Sequence, residues 1–113
     1  MNPQIKQKWV DALRSGEYQQ TKGRLHDEDG FCCLGVLCDL YIKENNVEWE
    51  PSTHYNNVYV LQDMVAVLPL SVMEWVGVGE DNPPVNGGPF TLAELNDKGS
   101  TFNEIADVIE EQL

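Results

Sequence analysis

Near the N-terminus, Ile5, Trp9, Ala12 and Leu13 recur at helical spacing while Lys6, Lys8 and Arg14 fall elsewhere on the cylinder. Asn2 offers an N-cap oxygen, and Pro3 suits the first helical position, where its missing N–H costs nothing. The pattern predicts a helix that Gly16 ends. Tyr18 to Leu25 has mixed polarity with strand character, and His26-Asp27-Glu28-Asp29-Gly30 carries turn chemistry that returns the chain through Phe31 and Cys32. A short hairpin is expected there.

From Cys33 to Lys43 the apolar positions cover most of the helical circumference, and only Gly35, Asp39 and Lys43 open a narrow polar strip. This predicts a buried central helix, broken at Asn45-Asn46. Val47 to Glu50 alternate as an edge strand would. After a loop from Pro51 to Asn57, the β-branched runs Val58 to Leu61 and Met64 to Leu68, separated by Gln62-Asp63, read as paired strands. Leu70, Val72, Met73, Trp75 and Val76 predict a short helix halted by Gly77 and Gly79. Glu80 to Pro89, with three prolines and two glycines, reads as an ordered loop or a flap. Thr91-Leu92-Ala93-Glu94 and Thr101-Phe102-Asn103-Glu104 are capping boxes, with Gly99 as a stop between them. The last helix should bury Phe102, Ile105, Ala106, Ile109 and Leu113. The whole predicts one α+β domain over residues 1–113, with a buried central helix, short antiparallel strands or hairpins, and a C-terminal helical hairpin.

Composition agrees with a folded chain: 42% of the 113 residues are hydrophobic and 23% charged. Charge narrows the function. Nineteen acidic residues against seven basic give a net charge of -12, a field that repels phosphate backbones and anionic lipid. Direct binding to nucleic acid or to a membrane is therefore disfavoured. The first residues lack the apolar stretch of a signal peptide, and no apolar run is long enough to span a bilayer. Three cysteines, with Cys32 and Cys33 adjacent, make a poor disulfide framework and point to reduced thiols in a cytosolic protein.

The candidate chemistry is sparse. His26, Cys32, Cys33 and Cys38 carry zinc-type atoms, but the sulfurs are either adjacent or five or more residues apart. Asp27-Glu28-Asp29-Gly30 resembles the middle of a calcium loop whose first and last positions would be Leu25 and Val36, which cannot ligate. Asn86-Gly87-Gly88-Pro89 has no following lysine to complete a phosphate loop. The run from Leu92 to Ala106 looks locally like a helix-turn-helix, yet Asp107, Glu110 and Glu111 make its second helix acidic. A hydrolase could be assembled from Glu74, between Met73 and Trp75, or from Cys32 or Cys33 with His26 or His54. No cofactor or metal is expected. A recognition site is the better candidate: Lys22 and Arg24 beside Tyr18 and His26 form an anion-accepting spot, and Trp49 and Tyr55, with His54, add stacking surface. Tyr18, Lys22, Arg24, His26, Trp49 and Tyr55 are thus the expected ligand-binding set for a nucleotide or another planar anion.

Four segments carry a family resemblance: Trp9-Val10-Asp11-Ala12-Leu13-Arg14-Ser15-Gly16-Glu17-Tyr18-Gln19-Gln20, Phe31-Cys32-Cys33-Leu34-Gly35-Val36-Leu37-Cys38-Asp39-Leu40, Leu68-Pro69 through Trp75-Val76-Gly77, and Leu95-Asn96-Asp97 with Phe102 to Ile109. Together they resemble a family of small uncharacterised proteins encoded by bacteriophages and prophages. The resemblance imports no reaction; it implies the cytoplasm of a host bacterium and a gene of the kind used for host take-over or counter-defence. The segments Asn45 to Asn57 and Gly79 to Pro89 match least. The expected function is stoichiometric binding, as an inhibitor that docks on a host protein with a basic surface. Sequestration of a small nucleotide signal is the alternative, and a small hydrolase the third.

Overall fold

Pro3–Arg14 forms helix α1, with the Asn2 side chain accepting from the backbone N–H of Gln4 and Ile5, as its cap position requires. Its buried face is Ile5, Trp9, Val10 and Leu13. The computed structural model describes residues 1–85 and 88–113, so Asn86 and Gly87 of the expected proline-rich loop, and the Asn86-Gly87 half of the rejected phosphate loop, lie outside the described residues.

The hairpin forms with a tighter turn than its sequence suggests. Strand β1 is His26–Asp27 and strand β2 is Gly30–Phe31, so His26, Asp27 and Gly30, expected in the turn, lie in the strands, while Phe31 returns the chain as expected. The carboxylate of Asp27 accepts from the N–H groups of Asp29 and Gly30, closing the turn locally. Tyr18 to Leu25 is irregular rather than a strand. It touches the sheet through a parallel bridge, Gln20 to Phe31, and Leu25 is held by backbone bonds, its N–H donating to the Val65 carbonyl and its carbonyl accepting from Cys32 N–H.

Helix α2, Cys33–Asn45, ends as predicted, with Asn46 in the left-handed conformation at its C-cap. Its expected polar strip is not a solvent face. Gly35 and Asp39 are buried, and only Lys43 is exposed. The irregular segment before the hairpin covers the strip, because Gly35 lets the Leu25 backbone rest against the helix.

Strand β3 is Glu50–Pro51 and strand β4 is Val58–Val60, giving an antiparallel sheet in the order β2-β1-β4-β3. β3 is an edge, as expected, though shorter than the Val47 to Glu50 alternation implied. The proposed partner of β4, Met64 to Leu68, is not a strand. Leu61 and Met64 do exchange both backbone hydrogen bonds around Gln62 and Asp63, both at positive φ, which makes a tight hairpin turn. The ladder stops after that bridge because β4 already has β1 on one side and β3 on the other. The carbonyl of Val65 turns away to accept from Leu25 N–H.

Helix α3, Leu70–Val76, is stopped by Gly77 at φ 82, and helix α4, Leu92–Asp97, follows the loop. Thr91 caps α4 through Glu94 N–H. Helix α5, Phe102–Gln112, has both bonds of the Thr101–Glu104 capping box. α5 buries Phe102, Ile105, Ala106 and Ile109 against α1, while Leu113 is half-buried. One core cluster takes side chains from all five helices and from Leu25, Leu61 and Leu68. The architecture is α+β.

Candidate functional site

Three strands place their aromatic residues at one register position. His26 pairs with Phe31 on one side and with Tyr59 on the other, so the three rings share a face of the sheet. The His26 ring stacks on Phe31 at 3.9 Å with an interplanar angle of 1°, and on Tyr59 at 4.6 Å. Trp49 tilts against His26 at 5.1 Å, and Tyr18 meets Phe31 edge-on at 5.1 Å. His26 Nδ1 lies 2.8 Å from the carbonyl oxygen of Gly30. A carbonyl only accepts, so Nδ1 carries the proton of this bond.

Behind these rings sits the buried carboxylate of Asp39. Tyr18 donates to Oδ2 at 2.6 Å, Trp49 Nε1–H to Oδ1 at 3.1 Å, and Lys43 Nζ to Oδ2 at 3.0 Å. Burial alone would raise the Asp39 carboxyl, but the donors Tyr18, Lys43 and Trp49 outweigh it and hold the group below its ordinary value. Burial, followed by the bond to Asp39, pushes the Tyr18 hydroxyl up to about 12. The bond to Asp39 also raises Lys43. The network fixes the Tyr18 and Trp49 rings at the border of the aromatic face, with Lys43 reaching Asp39 from the exposed side.

Of the expected ligand-binding set, Tyr18, His26 and Trp49 converge here. Arg24 and Tyr55 form a separate pair, the guanidinium 5.2 Å from the ring centroid. Lys22 is exposed and joins neither group among the described residues. Phe31, Tyr59 and Asp39, none of them in the expected ligand-binding set, complete the cluster; the pairing of β1 with β4 brings Tyr59 across. A cue existed for Asp39, an acidic residue inside an otherwise apolar helix.

The cavities do not turn the expected set into a pocket. Arg24 lines one of about 130 Å³ with Gly23, Cys32, Ala66, Asn82 and Asp97, well under the several hundred cubic ångströms of typical small-molecule sites. A cavity of about 220 Å³ near the β3–β4 loop is lined by Glu50, Ser52, His54 and Asp63. Another, of about 290 Å³, lies between Met1, Val78, Pro84 and Leu113. Trp49 and Tyr55 line none of these.

The cysteines take no part in an open site. All three are free and buried; burial pushes Cys32 up to about 11 and raises Cys33 and Cys38 strongly, so they are thiols rather than nucleophilic thiolates at neutral pH. Among the described residues, no group of three or more His, Cys, Asp or Glu side chains is placed to hold a metal ion. Glu74 is exposed on α3 rather than enclosed by its apolar neighbours. Among the described residues no helix is long and apolar enough to cross a membrane.

Over residues 1–113 the chain matches the family described as Domain of unknown function (DUF8296), and it belongs to that family. No curated protein and no solved structure matches it.

Proposed function

We propose that this protein acts by stoichiometric, non-covalent binding, docking its acidic exterior on a host protein with a basic surface. The observation that carries this reading is how little of the negative charge the chain neutralises itself. Lys8 pairs with Glu44, Arg14 with Asp107 and Glu110, Lys43 with Asp39 and Lys98 with Glu94. The remaining acidic residues meet no cation of the chain among the described residues. Such a surface attracts a cationic partner over distances comparable to the Debye length and speeds its encounter. In this reading, which the resemblance to phage-encoded proteins supports, the partner is met in the cytoplasm of an infected bacterium, where the protein inhibits a host or defence function. Pull-down from bacterial lysate, eluted in steps from about 0.1 to about 1 M salt, tests the reading. A basic partner released early in the series is expected; no partner, or one indifferent to salt, counts against it.

A second reading has the Arg24–Tyr55 pair in its favour. An exposed ring, Tyr55 at 52% accessibility, beside a guanidinium is a half-built stack that a small anionic nucleotide could complete. Thermal shift with a nucleotide panel tests it, and no shift with any member removes it.

A further inference from the structure

Among the described residues four large apolar side chains are exposed: Tyr55, Met64, Leu70 and Phe90. Two of them are brought to one place. Leu70 is 65% exposed and Met64 40%, and the Ser71 hydroxyl donates to Gln62 Oε1 at 2.6 Å, which holds the start of α3 beside the tight turn that carries Met64. Leu70 and Glu74 share a face of α3, four residues apart, and both are exposed. Asp63 precedes Met64 in the turn and lines the cavity of about 220 Å³. Glu50 lines it too, from the sheet face opposite His26 and Tyr59, because Glu50 pairs with Val60 while Tyr59 pairs with Pro51 and His26. Pro51 and Val60 give this cavity an apolar wall, Ser52, Thr53 and His54 complete it, and among the described residues no lysine or arginine borders it. The carboxylates of Glu50, Asp63 and Glu74 meet no cation of the chain among the described residues.

We propose that this turn, with the start of α3 and the cavity next to it, is where the basic partner docks, and that it takes a peptide segment in which an apolar side chain lies next to a lysine or arginine. The inference rests on the binding reading above and says where and through which chemistry the contact is made. A long basic side chain matches the cavity: its methylene stem runs along Val60 and Pro51, and its cationic head reaches Glu50 and Asp63. The apolar neighbour covers Met64 and Leu70, so the contact adds burial of apolar surface to charge attraction. At about 220 Å³ the cavity suits one side chain rather than a small molecule of ordinary size. Charge decides against the other occupants. A second copy of this chain would set Asp63 and Glu74 against their own counterparts across a two-fold contact, and a phosphate would meet three unpaired carboxylates.

The test titrates two peptides of equal length and charge into the isotope-labelled full chain at low salt, followed by NMR; one alternates lysine with leucine, the other lysine with serine. The leucine peptide should bind about tenfold tighter and shift the Met64 and Leu70 methyl resonances and the Asp63 amide. Leu70→Ser should bring the two peptides to equal affinity, whereas Phe90→Ser, at an exposed ring that meets Lys98 instead, should keep the tenfold ratio. Asp63→Asn, which tolerates the left-handed conformation, should weaken both peptides about threefold. Equal affinities in the wild type, a ratio unmoved by Leu70→Ser, or shifts confined to other parts of the chain overturn this inference and leave acidic docking intact. Binding of neither peptide removes the docking reading itself. Met64 and Leu70 shifts that grow as the peptide-free chain is concentrated overturn the inference in favour of a second copy. Should Leu70→Ser unfold, the wild-type peptide ratio and its resonance map decide.

Discussion

Gly35 and Leu25 touch backbone to backbone: a Cβ at position 35 would lie 1.7 Å from the Leu25 carbonyl oxygen and 2.6 Å from its carbonyl carbon. The contact seats the segment before the hairpin on α2 and thereby sets the height at which His26 and Phe31 leave the helix. Gly35→Ala gains up to about 1 kcal/mol of helix propensity, but the atom it strikes is backbone and cannot rotate aside. The expected net loss is about 3 kcal/mol, read as a lower urea midpoint at unchanged slope. Unchanged stability would show that Leu25 gives way easily.

Asn96, fully buried, ties three segments together. Its Oδ1 accepts from the N–H of Cys33, the first residue of α2, and from Gln20, while its Nδ2 donates to the Thr21 carbonyl. Asn96→Ala leaves a helix N-terminal N–H and a carbonyl unpaired in the interior, an expected cost of about 2 to 4 kcal/mol. Asn103→Ala, on the exposed side of α5, should stay within about 0.5 kcal/mol. Equal effects of the two substitutions in chemical denaturation would remove Asn96 as a structural hub.

The Asp39 network makes stability depend on pH at both ends. A lowered carboxyl contributes stability that is fully present above its ordinary value and lost as pH falls through the lowered one, so the Asp39 contribution holds above about pH 4 and disappears below it. A raised phenol does the reverse: Tyr18 contributes below about pH 10, and that contribution disappears as pH rises toward about 12. Tyrosinate absorbance should show a step near pH 12 from Tyr18, and Tyr18→Phe should remove that step. Asp39→Asn should flatten the acid limb of the stability curve.

The thiols should be silent in the native state. With Cys32, Cys33 and Cys38 buried and their ionisation pushed up, Ellman's reagent near pH 8 should react only as fast as the chain opens. Rates should rise with urea for all three together. A cysteine that reacts rapidly without denaturant would revive the hydrolase reading.

Local signals read from the chain correspond to local interactions. Asn2 with Pro3, the Thr101–Glu104 box, the Asn46 and Gly77 stops and the apolar circumference of α2 each depend on residues within a turn or two, so the sequence places these helices well. The strands are two or three residues long, and so short a segment carries almost no periodicity of its own. Val65 and Val67 read as a strand by composition, yet both sides of β4 are filled by residues distant in the chain. The same reason governs the candidate site. Tyr18, His26 and Trp49 are singled out by the sequence and do lie together, whereas Tyr59 joins them through a pairing no local pattern encodes.

The sequence by itself determined the helices, the identity of most of the core and the excess of negative charge, because capping, 3.6-residue periodicity and formal charge are properties of neighbouring residues or of plain composition. Only the tertiary structure decided that Asp39 is buried and paired, that Arg24 and Tyr55 stand apart from His26, and that three rings line up across the sheet. Those outcomes depend on which distant backbones meet, and the fit of Leu25 on Gly35 and the hydrogen bonds of Asn96 select that meeting only once the chain has folded.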